Sequence, residues 1–150
     1  MRLTKKVISA VEAVLDIAYH AGGEPVQSAD ITRRQGIPRR YLEPVLQRLV
    51  RNGLLIATRG PRGGYRLARE RRRTSVGEIV RIVREMETAT DPLTDDQGSA
   101  LGATVLNPIW EEVQEQCMQK LDKITLEDLC TSAQASGGEA EAKAPVDFAI

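Results

Sequence analysis

No stretch of the chain reaches 18 consecutive apolar residues, which excludes a membrane-spanning helix. The segment Met1-Arg2-Leu3-Thr4-Lys5-Lys6-Val7-Ile8 starts basic but has no long apolar region and no small-residue cleavage site, so no secretory signal is expected. Cysteine is scarce. Cys117 and Cys130 are the only two, too few for a disulfide framework, and a reducing cytoplasm is the simpler setting. His20 is the only histidine. No nucleophile motif is present, no histidine stands beside the cysteines, and no pair of carboxylates has a cleft-like context. The pattern of absences argues against an enzyme.

Net charge is also lacking, at +0 over 150 residues, but the balance hides a division. Residues 1–84 hold 18 Lys/Arg against 7 Asp/Glu, or +11, whereas residues 85–150 hold 3 against 14, or −11. A basic body followed by an acidic remainder suggests a polyanionic partner for the first part. Arginine density by itself would equally suit a solvated, charge-rich surface, so the placement of the arginines decides.

That placement follows a helix–turn–helix–wing order. Residues 4–20 read as a helix capped by Thr4, with Val7, Ile8, Val11, Val14, Leu15 and Ala18 at helical spacing. Ser28 caps a second helix to Arg34, with Ala29 and Ile31 turned inward, and Gly36 ends it in a position suited to positive φ. Pro38 opens a third helix to about Asn52, with Tyr41, Leu42, Val45, Leu46 and Leu49 on its buried face and Pro44 as a local conflict. Two short strands, 54–57 and 65–68, flank the tip Thr58-Arg59-Gly60-Pro61-Arg62-Gly63-Gly64. Ser75 and Glu78 form a capping box before a further helix with Val76, Ile79, Val80 and Val83 inward. The expected architecture is therefore mainly α with a small β-hairpin wing: a winged helix-turn-helix domain over 1–84 and a loop over 85–106. A long helix and short following turn fill 107–130, and 131–150 reads as a disordered tail.

The last helix carries Ile109, Trp110, Val113, Cys117, Met118, Leu121 and Ile124 near helical spacing, with Glu111, Glu112, Glu115 and Lys120 opposite. A small winged domain offers limited surface to cover such a stripe, so a second subunit is the expected occupant and the protein is expected to be a homodimer. The alternative is a helix folded back on its own domain.

Helix and wing each have a candidate role on double-stranded DNA. Arg39 and Arg40 can donate to guanine or to phosphate, Glu43 can accept from a cytosine amino group, and Gln47 shares their outer face. Tyr41 suits the core or a phosphate. Arg59 and Arg62 at the wing tip suit a narrow, negative minor groove, with Gly63 and Gly64 allowing close backbone approach. Thr4, Lys5, Lys6 and Gln27 are candidate phosphate contacts. A nucleotide-binding loop is a poor reading of the glycines, because the Lys-Ser/Thr ending is missing. A redox- or stress-linked protein-interaction module using the acidic stripe is the competing function.

The segments Met1-Arg2-Leu3-Thr4, Ala29-Asp30-Ile31, Arg34-Gln35-Gly36-Ile37, Tyr41-Leu42-Glu43 and Arg59-Gly60-Pro61-Arg62-Gly63-Gly64-Tyr65-Arg66-Leu67 resemble the Rrf2 family of bacterial winged helix-turn-helix transcription regulators, above all its iron–sulfur cluster regulators. Val76-Gly77-Glu78-Ile79, Trp110 and Ile124-Thr125-Leu126 extend the resemblance over most of residues 1–130. It implies a homodimer crossed by long C-terminal helices on a palindromic promoter site. Glu43 would discriminate bases and Arg59 would belong to the wing contact. The implied targets are iron–sulfur, iron, nitrosative-stress or cysteine-metabolism genes.

The chain departs from that resemblance at the cluster ligands. Cluster-binding members place three cysteines and a histidine where this sequence, in register from Trp110, has Pro92, Gly98, Thr104 and Asn107. Iron–sulfur ligation wants thiolates or imidazole, so no cofactor is expected. An atypical set of Cys117, Cys130 and His20 is the remaining route to an iron–sulfur cluster. Cys117 reads as a buried residue on the apolar face, Cys130 as an exposed one near the tail, and His20 as a structural or solvated helix end.

Overall fold

The computed structural model describes residues 3–88 and 99–136. Met1 and Arg2, the register positions Pro92 and Gly98, and the tail from residue 137 lie outside the described residues.

Helix α1 spans Lys5–Tyr19, and Thr4 caps it by accepting from the Val7 N–H at 3.3 Å. Its buried side is Val7, Ala10, Ala13, Val14, Ile17 and Ala18, while Ile8 is exposed. The stripe is rotated from the expected one toward the alanines, whose small side chains allow close packing on several neighbours. Indeed α1 packs against the second, third, fourth and sixth helices of the chain and against the wing's second strand.

Helix α2 spans Ser28–Gln35, and Gly36 follows at φ +67° with its N–H on the Thr32 carbonyl. Gln27, not Ser28, occupies the cap position, and no side chain caps this end. Ile31 is buried but Ala29 is exposed, because so short a helix turns only one residue fully inward. Ile37 closes the turn, and α3 runs Arg39–Arg51 with Leu42, Val45, Leu46 and Leu49 buried. Pro44 lies inside α3 on its exposed side; it cannot donate to the Arg40 carbonyl, but water reaches that side of the helix.

Strands β1 (Leu55–Thr58) and β2 (Gly64–Leu67) form an antiparallel hairpin in the register Leu55↔Leu67 to Thr58↔Gly64. Val26 adds a one-residue bridge, exchanging 2.8 Å hydrogen bonds with Tyr65. A 3-10 turn, Arg71–Arg73, leads to α4 (Val76–Thr88). The expected capping box is present: Ser75 N–H donates to Glu78 Oε2 at 3.0 Å and Glu78 N–H to Ser75 Oγ at 3.2 Å.

The second half differs from the sequence reading. Gly102–Leu106 forms a π-helical turn that runs directly into α5, Asn107–Asp122. Ser99 starts this helical stretch, its Oγ accepting from Gly102 N–H at 3.0 Å, so the expected loop gives way to helix at Ala100, before the expected start at 107. Helix α6, Leu126–Ala135, has a full capping box between Thr125 and Asp128 and runs five residues into the expected tail. Its start is pinned to the start of α4 by Val76 N–H to Ile124 O and Leu126 N–H to Thr74 O. Met118, Leu126 and Cys130 thus join the same core as α1, α3 and α4.

α4 and α5 approach closely at Gly77, where an added Cβ would lie 1.9 Å from Asp122 Oδ1. Arg81 closes the contact with a two-pronged pair to Asp122, one arm at 2.7 Å. The Arg81 hydrogen bond holds the Asp122 carboxyl below its ordinary range, and the same bond raises Arg81. Among the described residues no helix is long and apolar enough to cross a membrane.

Candidate nucleic-acid interface

The exposed side of α3 presents Arg39, Arg40, Tyr41, Pro44, Gln47 and Arg51, with Glu43 half-buried among them. Tyr41 is 58% exposed, contrary to the buried position expected for it. Its neighbours Leu42 and Val45 fill the core side, and its ring lies under the Arg40 guanidinium at 4.8 Å, with Arg40 Nη2 donating to its hydroxyl at 3.2 Å. Arg39 Nε donates to Glu43 Oε1 at 2.7 Å, one turn along. The first turn of α3 has no acidic residue and begins with two arginines. Cations at a helix N-terminus oppose the macrodipole, so this arrangement sacrifices helix stability for a positive end facing outward.

The wing stands beside this face. Tyr65 on β2 lies in the fields of Glu43 and Arg39; its hydroxyl is raised first by burial, then by Glu43, with Arg39 opposing. Arg59 and Arg62 are both exposed at the tip. Gly60 has φ +108° and its carbonyl accepts from Gly63 N–H at 2.9 Å, which closes the turn. Gly63 is buried, and a Cβ there would sit 2.2 Å from the Thr58 carbonyl oxygen. Gly64 has φ +153°, and a Cβ would sit 2.4 Å from the Val26 carbonyl oxygen. Both glycines therefore have a packing reason inside the wing, in addition to the close approach to a ligand expected of them.

Gln27 Nε2 donates to the Pro61 carbonyl at 3.0 Å, tying the start of α2 to the wing tip. Thr4 is used twice within the fold, as the α1 cap and through its hydroxyl on Glu87. Lys5 is exposed, and Lys5 and Lys6 line an open groove of about 510 Å³ shared with Pro38, Tyr41 and Val45. The structure thus gathers Arg39, Arg40, Tyr41, Glu43 and Gln47 on one helix face next to the wing, gives Gln27 and Thr4 internal partners, and sets Gly63 behind the tip.

The sequence reading missed the device that orients α2. Asp16, on the buried side of α1, accepts from Arg34 Nε at 2.9 Å, Arg34 Nη2 at 2.7 Å and Gln35 Nε2 at 2.8 Å. The hydrogen bond to Asp16 raises Arg34, against the cost of its burial. The signal was an acid in the middle of an apolar helix face, between Ala13 and Ile17.

The two cysteines exchange their expected positions. Cys117 is exposed on α5, and Cys130 is 1% exposed. Cys130 is enclosed because α6 continues past it and packs onto α1; burial pushes its thiol up, opposed by the hydrogen bond and charge of Arg71. His20 Nδ1 lies 3.0 Å from the Asp16 carbonyl. Thr104 Oγ1 donates to the Ala100 carbonyl at 2.7 Å, and Asn107 begins α5. These residues do not fit an iron–sulfur cluster: one thiol is outside, one is sealed in the core, and the histidine is engaged at the end of α1. Among the described residues no three His, Cys, Asp or Glu side chains gather as a metal site.

A helix-turn-helix with an exposed arginine-rich second helix and an arginine-tipped hairpin defines a winged helix-turn-helix DNA-binding transcription regulator. The family model described as "Rrf2: Iron-dependent Transcriptional regulator" matches residues 3–132, and the chain belongs to the Rrf2 family. Among curated relatives, the HTH-type transcriptional regulator IscR of Xenorhabdus nematophila is 40% identical over 129 residues, covering 86% of this chain and 79% of the relative. IscR of Yersinia pseudotuberculosis is 38% identical over the same shares. The solved structure of T. potens IscR superposes with a TM-score of 0.71 at 33% identity, covering 91% of this chain and 90% of that one. CymR, the global cysteine regulator of B. subtilis, shares the fold with a TM-score of 0.68 at 24% identity, over 88% of this chain and 98% of that one.

Proposed function

We propose that the protein is a sequence-specific regulator that binds a palindromic promoter site as a homodimer, with α3 in the major groove and the wing tip in the adjacent minor groove. The observation that carries the reading is the exposed Arg39–Gln47 face of α3 beside a wing whose Tyr65 lies in the fields of Glu43 and Arg39 and whose tip exposes Arg59 and Arg62. Arg39, Arg40, Glu43 and Gln47 would meet base edges or phosphates, and Arg59 and Arg62 the minor groove. Lys5 and Tyr41 stand close enough to serve on flanking phosphates. Gly63 and Gly64 serve through the shape they give the tip, and Gln27 by bracing it.

The homodimer reading is supported by α5 and the turn before it. Leu101, Val105, Leu106, Ile109, Trp110 and Val113 are all at least 43% exposed along one helical stretch. A contiguous apolar face of that kind marks an interface, and a second copy of a symmetric regulator supplies the matching face. Its targets are then iron–sulfur, iron or redox-linked genes, a reading supported by the family's description as iron-dependent regulators. The signal is then carried by something other than a conventionally ligated cluster, because the ligand positions do not fit one.

The test is equilibrium binding of the full chain to genomic duplex fragments across a salt series. Selective binding whose logarithm falls linearly with log salt supports the reading, and Arg59→Ala should weaken it at least fivefold. Uniform binding to all fragments contradicts it.

A further inference from the structure

We propose that Arg39 and Glu43 read DNA as a single unit addressed to the major-groove edge of one G·C base pair. The inference rests on the reading that α3 enters the major groove. The two side chains are joined at 2.7 Å through Arg39 Nε and Glu43 Oε1, and they remain 66% and 37% exposed. Using Nε for the pair leaves the end-on edge of the guanidinium, one N–H from each terminal nitrogen, pointing away from Glu43, and among the described residues Glu43 Oε2 accepts no hydrogen bond. The unit therefore offers adjacent donors followed by an acceptor. A G·C pair presents the complement across its major-groove edge, the guanine N7 and O6 acceptors followed by the cytosine N4 amino donor. An A·T pair sets the adenine N6 amino group against the guanidinium donors, and is refused.

Two further observations favour a reading role over a structural one. An arginine in the first turn opposes the helix dipole, and a cation placed N-terminal to its carboxylate is the weaker i,i+4 arrangement. Helix stability does not account for the pair. A lone Glu43 would also be repelled by the phosphate backbone, and Arg39 cancels that charge at the point of contact. Tyr65 flanks the pair from the wing side, in the field of both members.

The experiment is selection from a duplex library with randomised half-sites, using the full chain, Arg39→Gln, Arg39→Lys, Glu43→Gln and the double variant Arg39→Gln/Glu43→Gln. All four variants change only an exposed and a half-buried position, and circular dichroism checks that each variant folds. The expected result is one G·C-restricted position per half-site in the parent. Arg39→Gln and Glu43→Gln each relax that same position about tenfold, and the double variant relaxes it no further than the worse single. Arg39→Lys, which keeps the charge but not the fork, relaxes it while preserving the salt dependence. Loss of preference at two different positions, multiplicative effects, or unchanged preference with evenly weaker binding overturns the unit. A parent with no base preference anywhere overturns both the unit and the reading on which it rests; a selective parent with indifferent variants overturns the unit alone.

Discussion

Asp16 has a side chain with 0% exposure, and three donors from the end of α2 converge on it. Removing one member of such a buried set leaves the others desolvated and unpaired. Asp16→Ala is expected to lower unfolding stability by about 3 kcal/mol, measured by urea titration, and to weaken DNA binding beyond the stability loss by releasing α2. The wing glycines give a second residue-scale outcome. Gly64→Ala sets a methyl against the Val26 carbonyl in a backbone conformation that side chains avoid. It should cost about 1–3 kcal/mol and loosen the wing, seen as faster amide exchange at Tyr65. Cys130 should react with a thiol reagent only after denaturant, because burial keeps its thiol protonated and enclosed. The cysteine positions could not be read from the sequence. Cys130 reads as the start of a tail, whereas the Thr125–Asp128 capping box launches a helix that carries it into the core. Tyr41 misleads for a similar reason: its apolar ring suits a core position, but helical phase and the neighbouring Arg40 take it outward.

At the scale of elements, the helix-turn-helix and wing were legible because their punctuation is strong. Gly36, Pro38, Gly53 and the Arg59–Gly64 run each stand where the backbone needs them, and the Ser75–Glu78 box marks the start of α4 unambiguously. The stretch before α5 was not legible: Ser99, Gly102 and Thr104 have loop-like composition, yet Ser99 caps and Thr104 bonds back to Ala100 within a helix. Its apolar residues then lengthen the exposed face of α5 beyond what residues 107–123 show. In the proposed homodimer, Ile109→Glu should yield a monomer in sedimentation and reduce operator affinity more than tenfold, since two half-sites would no longer be held together. The α4–α5 link has a defined acid limit. The folded Asp122 carboxyl is held below its ordinary 3.8, so the pair's stabilisation is complete above that value and is lost as pH falls through the lower folded value. Stability should therefore show no pH dependence from this pair between neutral pH and about pH 5, where its contribution is complete, and Arg81→Ala should lower stability across that range and abolish the pair's decline in acid.

The whole molecule joins a basic DNA-facing half of +11 to an acidic half of −11. That division keeps the net charge at zero while concentrating positive potential on α3 and the wing. Glu111, Glu112 and Glu115 of the acidic half are exposed on α5. Family membership and fold class were both legible from residue pattern. The signal that regulates binding was not, because the ligand positions that would declare it hold Pro92, Gly98, Thr104 and Asn107. The most direct single measurement is the salt-dependent affinity of the full chain for a selected duplex, compared with Arg59→Ala and with a scrambled duplex of equal length. Tight binding to the selected duplex, a steep negative salt slope and a clear loss in Arg59→Ala are expected. Equal affinity for selected and scrambled duplexes, with no effect of Arg59→Ala, would contradict a sequence-reading regulator built on α3 and the wing.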